Sequence, residues 1–198
     1  GSYERHDYTL NIRSKEKPLW VRDPSQDVAV LRLTAPLPVA VPTLPESLIA
    51  DEAQLKRSGV HICSPLFVLT YPARTEANAA GFPIARSGIF ASPPLLPMPV
   101  LVNLSSSPET NAVPPETFLA DFTAFAGDSG GPVFIETADG RPLIVGIVLA
   151  RGLEDIKRKD EYEQGITHYP LGLGIILRAQ CVRDTLDAAA KTDIPAAK

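Results

Sequence analysis

The sequence predicts an all-β protein, a barrel or sandwich of short strands with one helix at its C-terminal end. Short runs of β-branched and aromatic residues recur along the chain. The 20 prolines outnumber the 13 glycines and cluster between those runs, where they remove backbone donors and end helices and central strands. Helical periodicity is confined to two segments, without the alternation of strand and helix that a parallel sheet requires.

Strands are predicted wherever an apolar or alternating run is bounded by turn residues. The last two runs before residue 150 are separated by Asp139-Gly140, which favours a tight hairpin because glycine readily adopts positive backbone angles. In chain order, the predicted strands are 8–13, 28–33, 66–71, 84–92, 117–121, 133–135, 143–149 and 173–177.

Two helices and two loops complete the predicted elements. The segment 47–57 begins at a serine cap and stops before Gly59, and 179–191 carries apolar residues at helical spacing on one face. Residues 93–115 are rich in proline and serine and are expected to form a long surface loop. The charge-dense segment 151–163 is expected to be a solvated loop.

Composition excludes several classes of function. The chain of 198 residues has a net charge of −4 and 44% hydrophobic residues, the balance of a globular domain without a basic surface for nucleic acid. No apolar run approaches the roughly 20 residues of a membrane span. Three histidines and two cysteines are too few and too scattered for a metal site, so neither a metal nor another cofactor is predicted. Cys63 and Cys181 are expected to fill core positions rather than to form a disulfide.

The segment most indicative of chemistry is Gly-Asp-Ser-Gly-Gly-Pro at residues 127–132. A serine hydroxyl becomes a useful nucleophile only when a base takes its proton and donors await the oxyanion. The flanking glycines permit backbone angles that turn the N–H groups of Gly127 and Ser129 into one anion-binding concavity. Asp128 between them is expected to pair inward and anchor the loop. The alternative without chemistry is an ordinary glycine-rich hairpin turn.

The same segment also fits the Gly-x-Ser-x-Gly nucleophile elbow of α/β-hydrolases, with Asp155 or Asp160 and then His168 later in the chain. In that fold a helix follows the serine. Here Pro132, an apolar run and an Asp-Gly turn follow it, which is typical of a strand and a hairpin. An esterase of this class stays an alternative that sheet topology can test.

The motif at 127–132 resembles the serine-nucleophile motif of trypsin-like serine proteases, which have the chymotrypsin fold. Other stretches resemble that family in the same order, several of them its bacterial, HtrA-like branch. They are 27–31 for the segment holding the triad aspartate, 67–72 and 82–89 for strands of the second barrel, 118–121 before the serine loop, 145–148 for the strand leading to the substrate edge, and 172–175 before the closing helix.

This resemblance implies a chymotrypsin-like double β-barrel whose first barrel is incomplete in this chain. The implied divisions are a remainder of the first barrel at 1–35, a linker with a short helix at 36–58, the second barrel at 59–178, and the C-terminal helix and tail at 179–198.

The resemblance also implies a role for each matched residue. Ser129 would attack the scissile carbonyl, and Asp27 would orient a histidine and stabilise its cation. The backbone at Gly127, Asp128 and Ser129 would form the oxyanion hole. The alternative for Asp27 is a turn aspartate that caps the next strand. The implied activity is that of a serine endopeptidase, whose only necessary partner is a protein or peptide substrate.

The histidine of the implied triad is not evident. It should precede Asp27, and only His6 does, in a charged patch unlike the apolar strand of the family. His61 and His168 lie downstream, which breaks the order of the family. We therefore expect the histidine to lie upstream of residue 1 and the chain as given to be inactive. A trypsin-like module that binds peptides or proteins without cleaving them is the alternative.

The same resemblance implies a substrate preference. The residue six before the nucleophile, here the uncharged Thr123, lies at the base of the primary pocket, so specificity for basic residues is not expected. Gly172 or Gly174 on the pocket wall would leave room for an apolar side chain, and we expect cleavage after small or medium apolar residues. The edge that would pair with an extended substrate consists of Leu149, Ala150 and Arg151.

Regulation and location follow only from the family. The HtrA-like resemblance suggests control by ordering of the loops at 73–82, 93–115 or 152–170. It favours a periplasmic or secreted location over the cytoplasm, which the cysteine content leaves open. The oligomeric state is open as well.

Overall fold

A computed structural model describes residues 3–15, 17–33, 37, 39, 41–96, 116–159 and 164–192. The described chain is mostly β, with a closed barrel of six strands and a helix at its C-terminal end. The predicted all-β barrel class with a closing helix is therefore confirmed.

The N-terminal part forms two small antiparallel ribbons. Strands β1 (Arg13–Ser14) and β2 (Lys17–Pro18) pair with each other, as do β3 (Trp20–Arg22) and β4 (Ala29–Leu31). The prediction of a strand at 8–13 is wrong except at its last residue. The apolar side chains in that stretch are exposed, so no opposing sheet face rewards an extended, paired backbone there.

The barrel closes in the order β10-β7-β6-β5-β8-β9, and every neighbouring pair is antiparallel. Closure pairs each strand on both sides within the barrel, whereas β9 beyond Ile147 pairs with β10 alone among the described strands. Its strands are β5 (Pro65–Thr70), β6 (Ile84–Phe90), β7 (Thr117–Asp121), β8 (Pro132–Glu136), β9 (Pro142–Lys159) and β10 (Gln164–Arg178).

The main core lies inside this barrel. Along β5 the side chains of Leu66 and Val68 are fully buried, with half-buried residues between them, as the period of two requires. The rings of Phe90 and Phe118 pack at 5.0 Å between centroids on neighbouring strands of the barrel. This packed interior provides the rigid frame for the loops at the barrel ends.

The predicted N-terminal helix is shorter than expected. Helix α1 spans Glu52–Arg57, and Asp51 caps it by accepting the Gln54 N–H at 2.6 Å. The predicted start at 47 is wrong, because Ala50 N–H donates to Ile144 O on β9 at 2.8 Å and holds the preceding backbone extended. A separate 3₁₀ turn covers Glu46–Leu48.

The C-terminal helix α2 (Ala179–Lys191) has the predicted bounds. It packs against β3 and β4 as well as the barrel. Cys181 forms a small buried cluster with Val28 and Leu177, which joins the β3–β4 ribbon to the barrel. The expectation for the cysteines is confirmed for Cys181 and wrong for Cys63, which is exposed with φ +71°; both thiols are free.

Strands β9 and β10 continue as one long hairpin, with Lys159 opposite Gln164. The prediction of a solvated loop across 151–163 is therefore wrong up to residue 159. The sequence pattern misleads here because backbone pairing, unlike a buried face, does not require apolar side chains. Residues 97–115 of the other predicted loop lie outside the described residues.

The N-terminal segment lies against the loop that follows β5. The Tyr3 and Phe82 rings meet edge to face at 4.9 Å, and the Arg5 guanidinium reaches both carboxylate oxygens of Glu76 at 3.0 and 3.1 Å. Tyr71 donates its hydroxyl to Gly81 O at 3.0 Å, which ties the loop to the end of β5. In the described ranges, no helix has the length and apolar character to cross a membrane.

Candidate active site

Ser129 lies in the loop between β7 and β8, beside the point where β9 leaves its pairing with β8. Gly130 N–H donates to Val148 O at 2.7 Å, and Val148 N–H donates to Gly131 O at 2.9 Å. These bonds fix the backbone just after the serine. The Ser129 side chain is exposed, and its hydroxyl makes a long hydrogen bond of 3.4 Å to Leu149 O.

The backbone around Ser129 leaves two donors free. The N–H groups of Asp128, Gly130 and Gly131 all donate within the protein. Across the described ranges, the N–H groups of Gly127 and Ser129 have no hydrogen-bond acceptor. These are the two donors that the sequence predicts for an oxyanion hole, so the loop can offer both to a developing negative charge.

Asp128 is buried and faces inward, as predicted. Its side chain is 1% exposed, and its Oδ2 lies 2.7 Å from Nη2 of Arg86 on β6. The same oxygen accepts the N–H of Phe125 at 2.6 Å. The carboxylate thus joins the loop to the barrel wall and holds the loop's own backbone, which fixes the position of the peptide between Gly127 and Ser129.

Arg86 binds the loop at a second point. Its Nη1 donates to Thr123 O at 2.7 Å, and its Nη2 donates to Thr70 Oγ1 at 2.9 Å. The guanidinium carbon also lies 5.3 Å from the centroid of the Phe122 ring and 5.7 Å from that of Phe125. One partly buried cation therefore fixes both the beginning and the end of the loop before Ser129.

The backbone at Gly127 packs directly against the strained turn that follows β5. The turn after β5 has two consecutive non-glycine residues with positive φ, Ala73 at +51° and Arg74 at +62°. Ala73 N–H donates to Ala126 O at 2.7 Å. Gly127 has φ +96°, and a Cβ there would stand 3.0 Å from Arg74 N and closer still to Tyr71 O. Glycine is therefore required at 127 by both its backbone angle and its space.

Asp27 is not buried as a triad aspartate is. Its side chain is 80% exposed just before β4, and it forms a loose ion pair of 3.9 Å with Arg22. In the described part of the chain it is hydrogen bonded neither to Ser129 nor to a histidine. Its triad role stays a prediction.

The described histidine side chains are occupied elsewhere. His6 is exposed, with Nε2 3.8 Å from the Glu4 carboxylate. His61 places Nδ1 2.7 Å from Ile62 O. The backbone of His168 lies on the outer part of β10. No described contact joins His6 or His61 to Ser129, and the expectation that the triad histidine lies upstream of residue 1 stays a prediction.

The predicted substrate edge borders the serine on β9. Ala150 and Arg151 pair with β10 on one side, opposite Ile175 and Gly174. The pairing of β9 with β8 ends at Ile147, and Val148 makes the last bonds to the serine loop. Among the described residues, the backbone from Leu149 onward thus has one unpaired edge beside Ser129, which an extended chain can join.

The sequence predicts room for a substrate side chain beside Gly174, but in the structure a side chain of the protein itself fills that room. A Cβ at Gly174 would stand 2.6 Å from Cζ of Phe122, so the aromatic ring fills the room that was expected for a substrate side chain. Gly172 has φ +74° and open space around it. Thr123 is exposed, and its carbonyl oxygen is held by Arg86.

Sequence reasoning missed the importance of Arg86, although a signal existed. In β6 the residues Ile84, Arg86 and Gly88 are partly buried, whereas Ala85 and Ser87 are exposed. An arginine on the inward face of a strand requires a buried partner, and an acidic residue in a glycine-rich loop is the natural candidate.

Comparison with known proteins adds no family assignment, because no protein-family model and no curated protein matches the chain. Among the described residues, no group of three or more His, Cys, Asp or Glu side chains is arranged to hold a metal ion. The site is therefore interpreted from its own geometry.

Proposed function

We propose that this chain contributes the nucleophile and the oxyanion hole of a trypsin-like serine endopeptidase with the double-barrel architecture of that family. The observation that carries the proposal is an exposed Ser129 beside two free backbone N–H groups, on a loop held from below by the buried Asp128. A hairpin turn without chemistry has no need of a buried ion pair, which is costly to desolvate.

In the proposed reaction, Ser129 Oγ attacks the carbonyl carbon of the scissile peptide bond while a base takes its proton. The carbonyl oxygen becomes an oxyanion and accepts hydrogen bonds from the N–H groups of Gly127 and Ser129. The C–N bond then breaks, and the protonated base returns the proton to the leaving amine. Water hydrolyses the acyl-enzyme by the reverse proton path and regenerates the hydroxyl.

The base is an imidazole in this proposal, oriented by Asp27. Ser129 Oγ makes a long hydrogen bond of 3.4 Å to Leu149 O, which an imidazole partner could displace. The role of Asp27 is proposed from the motif at 27–31, and its 80% exposed carboxylate leaves space for an imidazole beside it.

Two alternatives have different requirements. A peptide-binding module on the same fold needs the free edge at Leu149 but no base. An α/β-hydrolase elbow needs a helix after the serine and a parallel sheet; β8 follows Ser129, and the barrel pairs are antiparallel, which favours the protease over the esterase.

A fluorophosphonate probe tests the nucleophile. Serine Oγ forms a bond to phosphorus, fluoride leaves, and the base takes the proton. We expect labelling only when free imidazole is added, its loss in Ser129→Ala, and its retention in Ser87→Ala, which removes an exposed hydroxyl on β6. Labelling without imidazole that disappears in His6→Ala assigns the base to His6 instead.

Peptide and ester substrates separate the alternatives. Ser129-dependent cleavage of peptides in the presence of imidazole supports the endopeptidase. Peptide binding without labelling at any imidazole concentration supports the binding module, and ester hydrolysis without peptide cleavage supports an esterase.

A further inference from the structure

The loop that carries Ser129 begins against one strand and ends against its neighbour. It begins at Phe122, whose ring packs on Gly174 of β10. It ends at Ser129, whose hydroxyl reaches Leu149 O on β9. Gly174 pairs with Arg151 on β9. The loop therefore runs beside the stretch of β9 from Leu149 to Arg151, whose other edge is unpaired in the described residues. The Phe122 ring therefore borders the part of β10 that pairs with this stretch of β9.

The Phe122 ring is held from several sides. It is 7% exposed, and the Arg86 guanidinium lies over its face at 5.3 Å. Glycine occupies the facing position on both adjoining strands. A Cβ at Gly174 would stand 2.6 Å from Cζ of the ring, whereas a Cβ at Gly88 would stand 2.5 Å from Asp121 O and 3.2 Å from Phe122 Cβ. Gly174 thus makes room for the ring and Gly88 for the backbone that leads to it, and close packing around the ring prevents it from swinging aside.

We propose that Phe122 is the residue that sets side-chain specificity beside Ser129, and that it restricts the substrate residue before the scissile bond to side chains about the size of alanine. This inference rests on the proposed function and narrows it. Arg86 holds the carbonyl oxygen of the neighbouring Thr123, whose side chain is exposed, and the proposal assigns the limit on side-chain size to Phe122 rather than to Thr123. A leucine or phenylalanine side chain entering beside Ser129 collides with the ring.

Peptide boronic acids test this inference without a catalytic base in the chain. Ser129 Oγ adds to the trigonal boron, its proton passes to solvent, and a tetrahedral boronate forms. The two probes are tripeptides of alanine that end in the boronic acid analogue of alanine or of phenylalanine, and adduct formation is followed by the ¹¹B NMR signal of tetrahedral boron. Ser129→Ala reports any adduct formed elsewhere.

We expect the wild-type protein to bind the alanine probe at least about tenfold more tightly than the phenylalanine probe, the scale at which a pocket discriminates one or a few methylene groups. Phe122→Ala should bind the phenylalanine probe at least as tightly as the alanine probe. Phe122→Leu retains most of the apolar volume and should give an intermediate ratio. Phe67→Ala, which truncates a ring stacked on Phe134 within the barrel wall, should keep the wild-type ratio.

Thermal melting of each variant shows whether it is folded. If Phe122→Ala does not fold, the ratio for Phe122→Leu decides, and a wild-type ratio in that variant overturns the inference. Equal binding of the two probes by the wild-type protein overturns the inference and leaves the proposed function intact. The absence of any Ser129-dependent adduct with either probe in every folded variant overturns the proposed function and the inference together.

Discussion

Arg86 and Asp128 form an ion pair of 2.7 Å that joins the barrel wall to the loop carrying Ser129. In the mammalian zymogens of the family that the motif resembles, the corresponding aspartate pairs with a freed N-terminal amine. Here a side chain of the barrel itself supplies the positive charge. We therefore expect the loop to be ordered without a cleavage that creates a new N-terminus.

Replacing Arg86 by Met should destabilise the protein and disorder the serine loop. The substitution leaves a buried carboxylate without its cation, which costs about 3 kcal/mol or more of the free energy of unfolding. Urea denaturation measures this loss. Arg141→Met removes the cation of the exposed Arg141–Asp139 pair and should leave the unfolding midpoint unchanged within error.

The double variant Arg86→Met/Asp128→Leu separates stability from function. Apolar replacement of a whole buried ion pair is often neutral or stabilising, so the double variant should recover much of the lost stability. It should still fail to bind peptide boronates at Ser129, since nothing then holds the free N–H groups in place. Recovery of boronate binding together with stability would show that the ion pair does not position the loop.

Gly127→Ala should be more damaging than an alanine at another glycine with positive φ. At Gly127, φ +96° adds about 1–2 kcal/mol of backbone strain, and the Cβ collides with the strained turn after β5. At Gly59, φ is +69° but nothing lies within 4 Å of a Cβ, so Gly59→Ala adds strain alone. The difference between the two variants in the free energy of unfolding reports the collision, and equal losses would argue against the close approach.

The contact between Arg5 and Glu76 should protect the loop at 76–82 from opening. An exposed ion pair contributes little, so we expect Arg5→Gln to raise amide hydrogen exchange in this loop only about two- to fivefold. The swapped variant Arg5→Glu/Glu76→Arg should restore slow exchange. Unchanged exchange in Arg5→Gln would show that the N-terminal segment does not hold this loop.

The two thiols should differ in reactivity. Burial raises the pKa of the Cys181 thiol to about 12, and nearby Glu116 adds to the shift. At pH 8, iodoacetamide should therefore alkylate only the exposed Cys63, as intact mass and the variant Cys63→Ser can show.

The same shift affects stability at high pH. Because the folded state holds the Cys181 proton more tightly than the unfolded state, its contribution to stability is complete below about pH 9 and declines as the pH rises toward 12. Cys181→Val should lose less stability over that interval, as measured by urea denaturation at each pH. A steeper loss in the valine variant would contradict this account.

The sequence predicts the elements whose burial follows a simple period. The runs at β5, β7 and α2 alternate or repeat as their buried faces require, and their bounds are close to those observed. The outer hairpin of β9 and β10 was missed, since its strands are held by backbone pairing and carry charged residues. The predicted single helix at 47–57 fails because β9 captures the backbone at Ala50.

The residues of the candidate site also fall into two groups, those that a local sequence motif predicts and those that depend on contacts across the barrel. Ser129, the free donors beside it and the inward Asp128 follow from a local motif. Arg86 and Phe122 depend on which side chains meet across the barrel, and a linear pattern shows only that an inward arginine needs a partner. The positive φ at Ala73, whose N–H donates to Ala126 O, has no sequence signature, because alanine rarely adopts positive φ.

The six-stranded barrel from β5 to β10 carries the two N–H groups proposed to receive the oxyanion, those of Gly127 and Ser129, together with the Arg86–Asp128 pair that holds their loop. The proposed base and Asp27, which would accept and stabilise the proton of Ser129, do not belong to that barrel. Recognition of a tetrahedral adduct and turnover are thus assigned to separable parts of the molecule. A lineage that loses its imidazole would keep an intact receptor for serine-directed inhibitors, and one that regains it needs no change in the barrel.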